Sequence, residues 1–159
     1  MNDQVLHAIR RLLAAAGVPF SEMTHAPTRT SEESARARGE PLANGGKAIL
    51  LKTDEQFRLF VLPADRRLDS AAVKRELGVR KTRFASPEEL LSLTGLVPGS
   101  VPPFGPPILP FELFVDETIR GNDRIAFNAG TLTDSIAMAV ADYLTIANPR
   151  VFAFSTPAG

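Results

Sequence analysis

Lys47 is the residue in this chain on which chemistry is most readily built. It stands directly after the pair Gly45-Gly46 and opens an otherwise apolar stretch, Ala48-Ile49-Leu50-Leu51. A lysine emerging at the end of a strand beside glycine backbone can hold a phosphate, a carboxylate or a polarised carbonyl as a point charge. The plainer alternative is a strand-end lysine whose stem covers apolar surface while its head stays wet, and position alone favours it. A second candidate is the loop Gly95-Leu96-Val97-Pro98-Gly99-Ser100-Val101-Pro102-Pro103-Phe104-Gly105, stiffened further by prolines at 106, 107 and 110. Proline fixes φ and removes donors, whereas glycine lets backbone turn sharply and a ligand approach it. The N–H groups of residues such as Gly99 and Ser100 would then suit a developing oxyanion. The alternative is a stiff connector. No Gly-Lys-Ser/Thr ends the loop, and no dinucleotide fingerprint fits it.

A third polar cluster is Asn128-Ala129-Gly130-Thr131-Leu132-Thr133-Asp134-Ser135. Its amide, hydroxyls and carboxylate suit a small polar ligand; equally, Asp134 or Ser135 would cap a helix predicted from Met138. No Gly-x-Ser-x-Gly elbow and no Ser/His/Asp triad is visible. His25 reads as a partly exposed strand-end histidine. The chain has no cysteine and two histidines, His7 and His25, which excludes thiol nucleophiles and Cys- or three-His metal centres.

Lys and Arg number 18 and Asp and Glu 18, with a pI near 6.7, so no global field draws nucleic acid. Locally, residues 66–83 carry Arg66, Arg67, Lys74, Arg75, Arg80, Lys81 and Arg83 against Asp69 and Glu76. Such a cluster can seat a phosphodiester backbone, or it is a solvated helix face. With no basic leader and no long apolar span, the chain is expected to be soluble and cytoplasmic, with no membrane partner.

The elements that must position these residues follow from periodicity and caps. Val5, Ile9, Leu12, Leu13 and Ala16 predict a helix over 3–16, stopped at Gly17. Phe20–Thr24 reads as a strand. Thr30 and Glu33 form a capping box for a short Ala/Arg helix ending near Gly39. The strand from Gly45 and the strand Gln56–Leu62 flank Asp54-Glu55 as a hairpin. Asp69 caps a helix over Ser70–Leu77, and Lys81–Ala85 is a strand. Ser86-Pro87-Glu88-Glu89 starts a helix that ends near Thr94. Strands follow at Phe111–Asp116 and Arg124–Asn128, then a helix over Met138–Ile146 and a strand over Val151–Phe154. The expected fold is one mixed α/β domain over 1–159, with a curved, mostly antiparallel mixed sheet flanked by helices.

Gly46-Lys47-Ala48-Ile49-Leu50-Leu51, then Gly95-x-x-Pro98-Gly99-Ser100-Val101-x-Pro103-Phe104-Gly105, then Phe127-Asn128-Ala129-Gly130-Thr131, in this order, resemble the YbaK family. This is the family of the prolyl-tRNA synthetase editing domain and its free-standing relatives. No synthetase motifs accompany them, so the chain looks like a free-standing member. The resemblance implies hydrolysis of the ester of mischarged aminoacyl-tRNA, without metal or cofactor. It implies that Lys47 lines the pocket and is needed for activity; beside it, the N–H groups of Gly99 and Ser100 are the expected catalytic donors to the oxyanion. It implies that the glycine loop, with Gly95, Pro98, Val101, Phe104 and Gly105, surrounds the ester and terminal adenosine. Thr30, Gly46, Asn128, Gly130, Thr131, Thr133, Asp134 and Ser135 are the further substrate contacts expected. Arg66, Arg67, Lys74, Arg80 and Lys81 are the expected tRNA contacts. Members that hydrolyse alanyl-tRNA often carry a histidine where this chain has Asn128-Ala129-Gly130, and many relatives have threonine in place of Ala48. The expected partners are the acceptor end of aminoacyl-tRNA and, as a further possibility, a synthetase; DNA is not among them, and a monomer or weak dimer is expected. Two other readings stand beside this one. One is a non-catalytic tRNA- or synthetase-binding module of the same fold, the other a small-molecule ester hydrolase.

Overall fold

Helix α1 (Gln4–Ala16) buries Leu6, Ile9 and Leu13 on one face and ends at Gly17, whose φ of 68° is the left-handed turn glycine permits. The computed structural model describes residues 3–158. Strand β1 (Phe20–Thr24) follows, then α2 (Ser31–Arg38). The capping box forms as expected: Glu33 N–H donates to Thr30 Oγ1 and Thr30 N–H to Glu33 Oε1, each at 3.1 Å. β2 (Gly46–Thr53) and β3 (Gln56–Pro63) make the expected hairpin, antiparallel in register Thr53 to Gln56, around Asp54-Glu55. β4 (Arg66–Leu68), α3 (Ser70–Leu77), β5 (Thr82–Phe84) and α4 (Pro87–Thr94) come next. After the Pro/Gly segment the chain forms β6 (Leu113–Asp116), β7 (Arg124–Asn128), β8 (Asp134–Ala139), α5 (Val140–Ala147), β9 (Arg150–Phe152) and β10 (Ser155–Pro157).

The expected mixed sheet is divided into hydrogen-bonded pieces. The largest runs β5-β2-β3-β6-β9, with β6 parallel to both β3 and β9. A second runs β1-β8-β7, all antiparallel, and β4 pairs with β10. A bridge between Gly45 and Ala126 joins the first two. β3 is buried on both faces, and its alternation separates two cores. Leu59 and Val61 face the larger core with α1 and α5, while Phe60 and Leu62 face Phe114, Phe154 and α3.

One element departs from the sequence-based expectation. Asp134–Ala139 is the middle strand of the three-stranded sheet, paired to β1 and β7, and not the approach to a helix starting at Met138. Asp134 and Ser135 therefore do not cap α5, which starts at Val140. The strand is buried on both faces, so it lacks period-two alternation, and its apolar residues run on into the helix. The three-residue strands β4 and β10 were likewise too short to carry a periodic signal, and the last expected strand is β9, ending at Phe152.

Two stability predictions follow. Phe60 is fully buried, stacked on Phe114 at 5.0 Å and edge-on to Phe154 at 5.4 Å. Phe60→Ala should cost about 3–5 kcal/mol in urea unfolding. Glu89 accepts from Arg83 at 2.7 and 2.9 Å and from Ser86 N–H, bonds that hold its carboxyl down at about 2. A carboxyl depressed in the folded state stabilises above its unfolded value, and that contribution is lost as pH falls. The window here runs from 4.5 down to about 2. Glu89→Gln should flatten the fall in urea midpoint through that window; parallel wild-type and variant curves would refute the assignment.

Candidate active site

A cleft of about 240 Å³ opens where α2, the start of β2 and the glycine loop meet. Each wall follows from local sequence. Thr30, held as the N-cap of α2, presents the mouth of the helix together with Arg29 and Ser31. On α2 itself, Ser31, Ser34 and Arg38 recur at three- and four-residue spacing, which stacks them on one helical face. Gly46 brings β2 close to β7: a Cβ there would lie 2.7 Å from Ile125 Cδ1. Gly99 takes φ 89°, a conformation that side-chain-bearing residues rarely adopt.

Lys47 is half-buried, and its ammonium donates to Arg66 O at 3.1 Å. Desolvation draws it below the ordinary lysine value, opposed by Glu32 and Asp65. Burial also lowers the Arg38 guanidinium to about 10, opposed by Glu40, which leaves it charged at neutral pH. Arg29, Arg38 and Lys47 line the cleft, and no carboxylate is among its lining residues. Among the described residues none of the three forms an ion pair.

The cleft brings together six of the sequence-predicted site residues: Thr30, Gly46, Lys47, Gly99, Val101 and Asn128. The others lie outside its lining. Gly95 is the C-cap of α4 at φ 75°, and Pro98 is exposed. Ser100 is buried with its hydroxyl folded onto Val97 O at 2.8 Å, and its N–H donates to the same carbonyl at 3.1 Å. That geometry withdraws Ser100 N–H from any oxyanion. Phe104 is core, edge-on to Phe127 and Tyr143, and a Cβ on Gly105 would meet Phe111 O at 2.7 Å. Gly130 packs on α1, where a Cβ would sit 2.8 Å from Val5, and its N–H donates to Ser100 O.

Thr131, Thr133 and Asp134 form a closed turn between β7 and β8. Thr131 Oγ1 donates to Asp134 Oδ2 at 2.7 Å and Thr133 Oγ1 to the same oxygen at 2.9 Å. Burial pushes the Asp134 carboxyl up, but these hydroxyls and Thr24 outweigh it and hold it below its ordinary range. Ser135 lies behind the cleft, 2.8 Å from His25 Nε2.

The predicted basic cluster separates in space. Arg66 lies at the cleft end, tied by Nε to Ser155 Oγ at 2.6 Å, with Arg67 exposed beside it. Lys74, Arg80, Lys81 and Arg83 line a shallow groove with Lys52, Asp54 and Glu55 at the far end of β2, five cations against two carboxylates. Five residue steps of strand lead from Lys47 to Lys52, about 17 Å at ~3.3 Å per step, and turn their side chains to opposite faces.

Arg29, Ser31, Ser34 and Arg38 were not anticipated as cleft residues. The polar three-four stripe on α2 was the available signal. Among the described residues no group of three His, Cys, Asp or Glu side chains is placed to hold a metal, and no helix is long and apolar enough to cross a membrane.

Comparison with known proteins agrees with this geometry. A crystal structure of a hypothetical protein superposes with a TM-score of 0.83 at 23% identity, covering 93% of this chain and 99% of that one. The chain is 35% identical over 156 residues to the multifunctional Ser/Thr-tRNA deacylase ProXp-y of Escherichia coli K12, covering 90% of this chain and 88% of that protein. It is 34% identical over 101 residues to the proline–tRNA ligase of Shouchella clausii, covering 64% of this chain but 18% of the ligase. Residues 25–146, which include every side chain lining the cleft, match the model for the aminoacyl-tRNA editing domain, and the chain belongs to that family.

Proposed function

We propose that this protein is a trans-acting aminoacyl-tRNA deacylase that hydrolyses the ester of mischarged tRNA in the cytoplasm, with seryl and threonyl esters as its substrates. The observation that carries the reading is the cleft itself: Lys47, a glycine backbone and a hydroxyl-bearing helix face converge on a space sized for one aminoacyl group. The 35% identity to the E. coli Ser/Thr-tRNA deacylase over nine-tenths of the chain supports the substrate class.

An aminoacyl ester is already an activated carbonyl, so hydrolysis needs no side-chain nucleophile. Water attacks the carbonyl carbon, oriented by the vicinal ribose hydroxyl of the substrate. The carbonyl oxygen becomes an oxyanion, and collapse expels the ribose oxygen, which takes the proton given up by the attacking water, relayed through the vicinal hydroxyl. Gly99 N–H makes no hydrogen bond among the described residues and lines the cleft. It supplies the backbone donor for that oxyanion. Lys47 donates one of its N–H groups to Arg66 O and has two others for the substrate. Its role is electrostatic, since a protonated ammonium has no lone pair to act as base. Thr30, Ser31 and Ser34 give the wall that meets the amino-acid side chain its hydroxyls. A site that hydrogen-bonds a substrate hydroxyl rejects analogues lacking it far more strongly than a pocket that sorts by size.

Deacylation of Ala-, Ser-, Thr- and Cys-charged tRNAs tests this reading. Wild type should release serine and threonine, and Lys47→Ala should slow release about 10²–10³-fold, the usual effect of losing one oxyanion-stabilising group. Absence of release above background across the panel would refute it. The basic groove supplies a second test. Lys74→Ala, Arg80→Ala and Lys81→Ala combined should weaken tRNA binding and reduce the slope of log K against log salt by about 2–3. Affinity and slope equal to wild type would remove the groove from the tRNA footprint.

A further inference from the structure

Arg38 closes α2 and reaches across the back of the cleft to β7 and β8. Its Nε–H donates to Ser135 Oγ at 2.9 Å, one terminal nitrogen to Ala126 O at 3.4 Å, and the other to Asn128 Oδ1 at 3.1 Å. A guanidinium has donors only, so the face Asn128 turns to it must be oxygen. The Asn128 amide nitrogen donates to Gly99 O at 2.9 Å, and a carbonyl has acceptors only. The orientation of this amide is therefore dictated from both sides. The peptide joining Gly99 to Ser100 is in turn clamped at both its polar groups, since Ser100 N–H is bound to Val97 O.

Behind Arg38 the bonding is also directional. His25 Nδ1 lies 2.8 Å from Ala26 O, so in the neutral ring Nδ1 carries the proton. Nε2 lies 2.8 Å from Ser135 Oγ, whose one hydroxyl proton faces both Nε2 and Asn128 Oδ1, the latter at 3.1 Å, while its lone pairs face Arg38.

We propose that Arg38 is a positioning residue for deacylation: it orients the Asn128 amide, which holds the Gly99–Ser100 peptide and so anchors the Gly99 Cα, from which the Gly99 N–H of the preceding peptide is presented to the oxyanion. The proposal rests on the deacylase reading of the cleft. Asn128 lines the cleft, yet its side-chain oxygen and nitrogen are both bound within the protein. Its part is to transmit order from Arg38 to the loop, and Arg38 acts through it.

The test is a kinetic cycle on seryl-tRNA deacylation with Arg38→Ala, Asn128→Ala and the double variant, joined by Arg38→Lys. The lysine variant keeps the charge and loses the planar fork. Each single change should lower kcat about 10²-fold, the scale of a misplaced reacting group, with KM little altered. The double variant should be no slower than the slower single variant, because both interrupt one chain. Added guanidinium ion should restore rate to Arg38→Ala and not to the double variant. Multiplicative losses, or a KM effect with kcat intact, would overturn the proposal.

Exchange of the Asn128 side-chain amide protons, followed by NMR, needs no turnover. They should be protected in wild type and exchange faster in Arg38→Lys. Equal protection in both overturns the proposal even if wild type deacylates. Faster exchange in the variant beside an inactive wild type overturns the deacylase reading and leaves the Arg38–Asn128 coupling standing.

Discussion

A guanidinium drawn largely out of water and hydrogen-bonded to no carboxylate must find neutral acceptors, and this constraint organises the protein around its cleft. Arg38 meets it with a backbone carbonyl, an amide oxygen and a hydroxyl, contributed by residues 88, 90 and 97 positions further along the chain. None of these acceptors can move without leaving a buried donor unmatched. Helix α2, strands β7 and β8 and the glycine loop are thereby tied to one point. A carboxylate in the same place would have satisfied Arg38 more simply. It would also have cancelled positive charge in a cleft where a developing oxyanion is to be stabilised.

The rest of the architecture makes that arrangement rigid. Strand β3 is buried on both faces and separates the two cores, so the hairpin it forms with β2 is held from either side. The start of β2 emerges from this packed layer at Gly46 and Lys47. Close approach of Gly46 to Ile125 brings the strand against β7, where Asn128 stands. At the other end of β6, buried Asp116 accepts from Phe154 N–H at 2.7 Å and Ser155 Oγ at 2.8 Å. Ser155 also holds Arg66, whose carbonyl receives the Lys47 ammonium. The lysine at the cleft is thus steadied through the small sheet of β4 and β10.

How much of this was legible depended on the range of the interactions. The caps at Thr30, Asp69 and Ser86 are local, and the helices they start were visible in a few consecutive residues. Lys47, Gly46, Gly99 and Asn128 stood out because glycine and a lone charge are conspicuous beside apolar strands. Arg38 did not stand out, because its partners are distant in sequence and its helix reads as an ordinary polar one. Phe104 and Gly105 misled in the opposite sense. A Pro/Gly segment suggests a ligand loop, yet here its second half is core, with Gly105 leaving room for the Phe111 carbonyl. Strand β8 was obscured because burial on both faces removes alternation.

The two positively charged regions sit at opposite ends of the same strand, Lys47 at its start and Lys52 near its finish. A hydrogen-bonded strand inside a packed sheet neither stretches nor bends appreciably, so the interval between them behaves as a ruler. In the proposed reaction the ester lies at one end and the polynucleotide backbone at the other, and because five steps along a strand reverse the face, the substrate has to pass from one side of the sheet to the other between them.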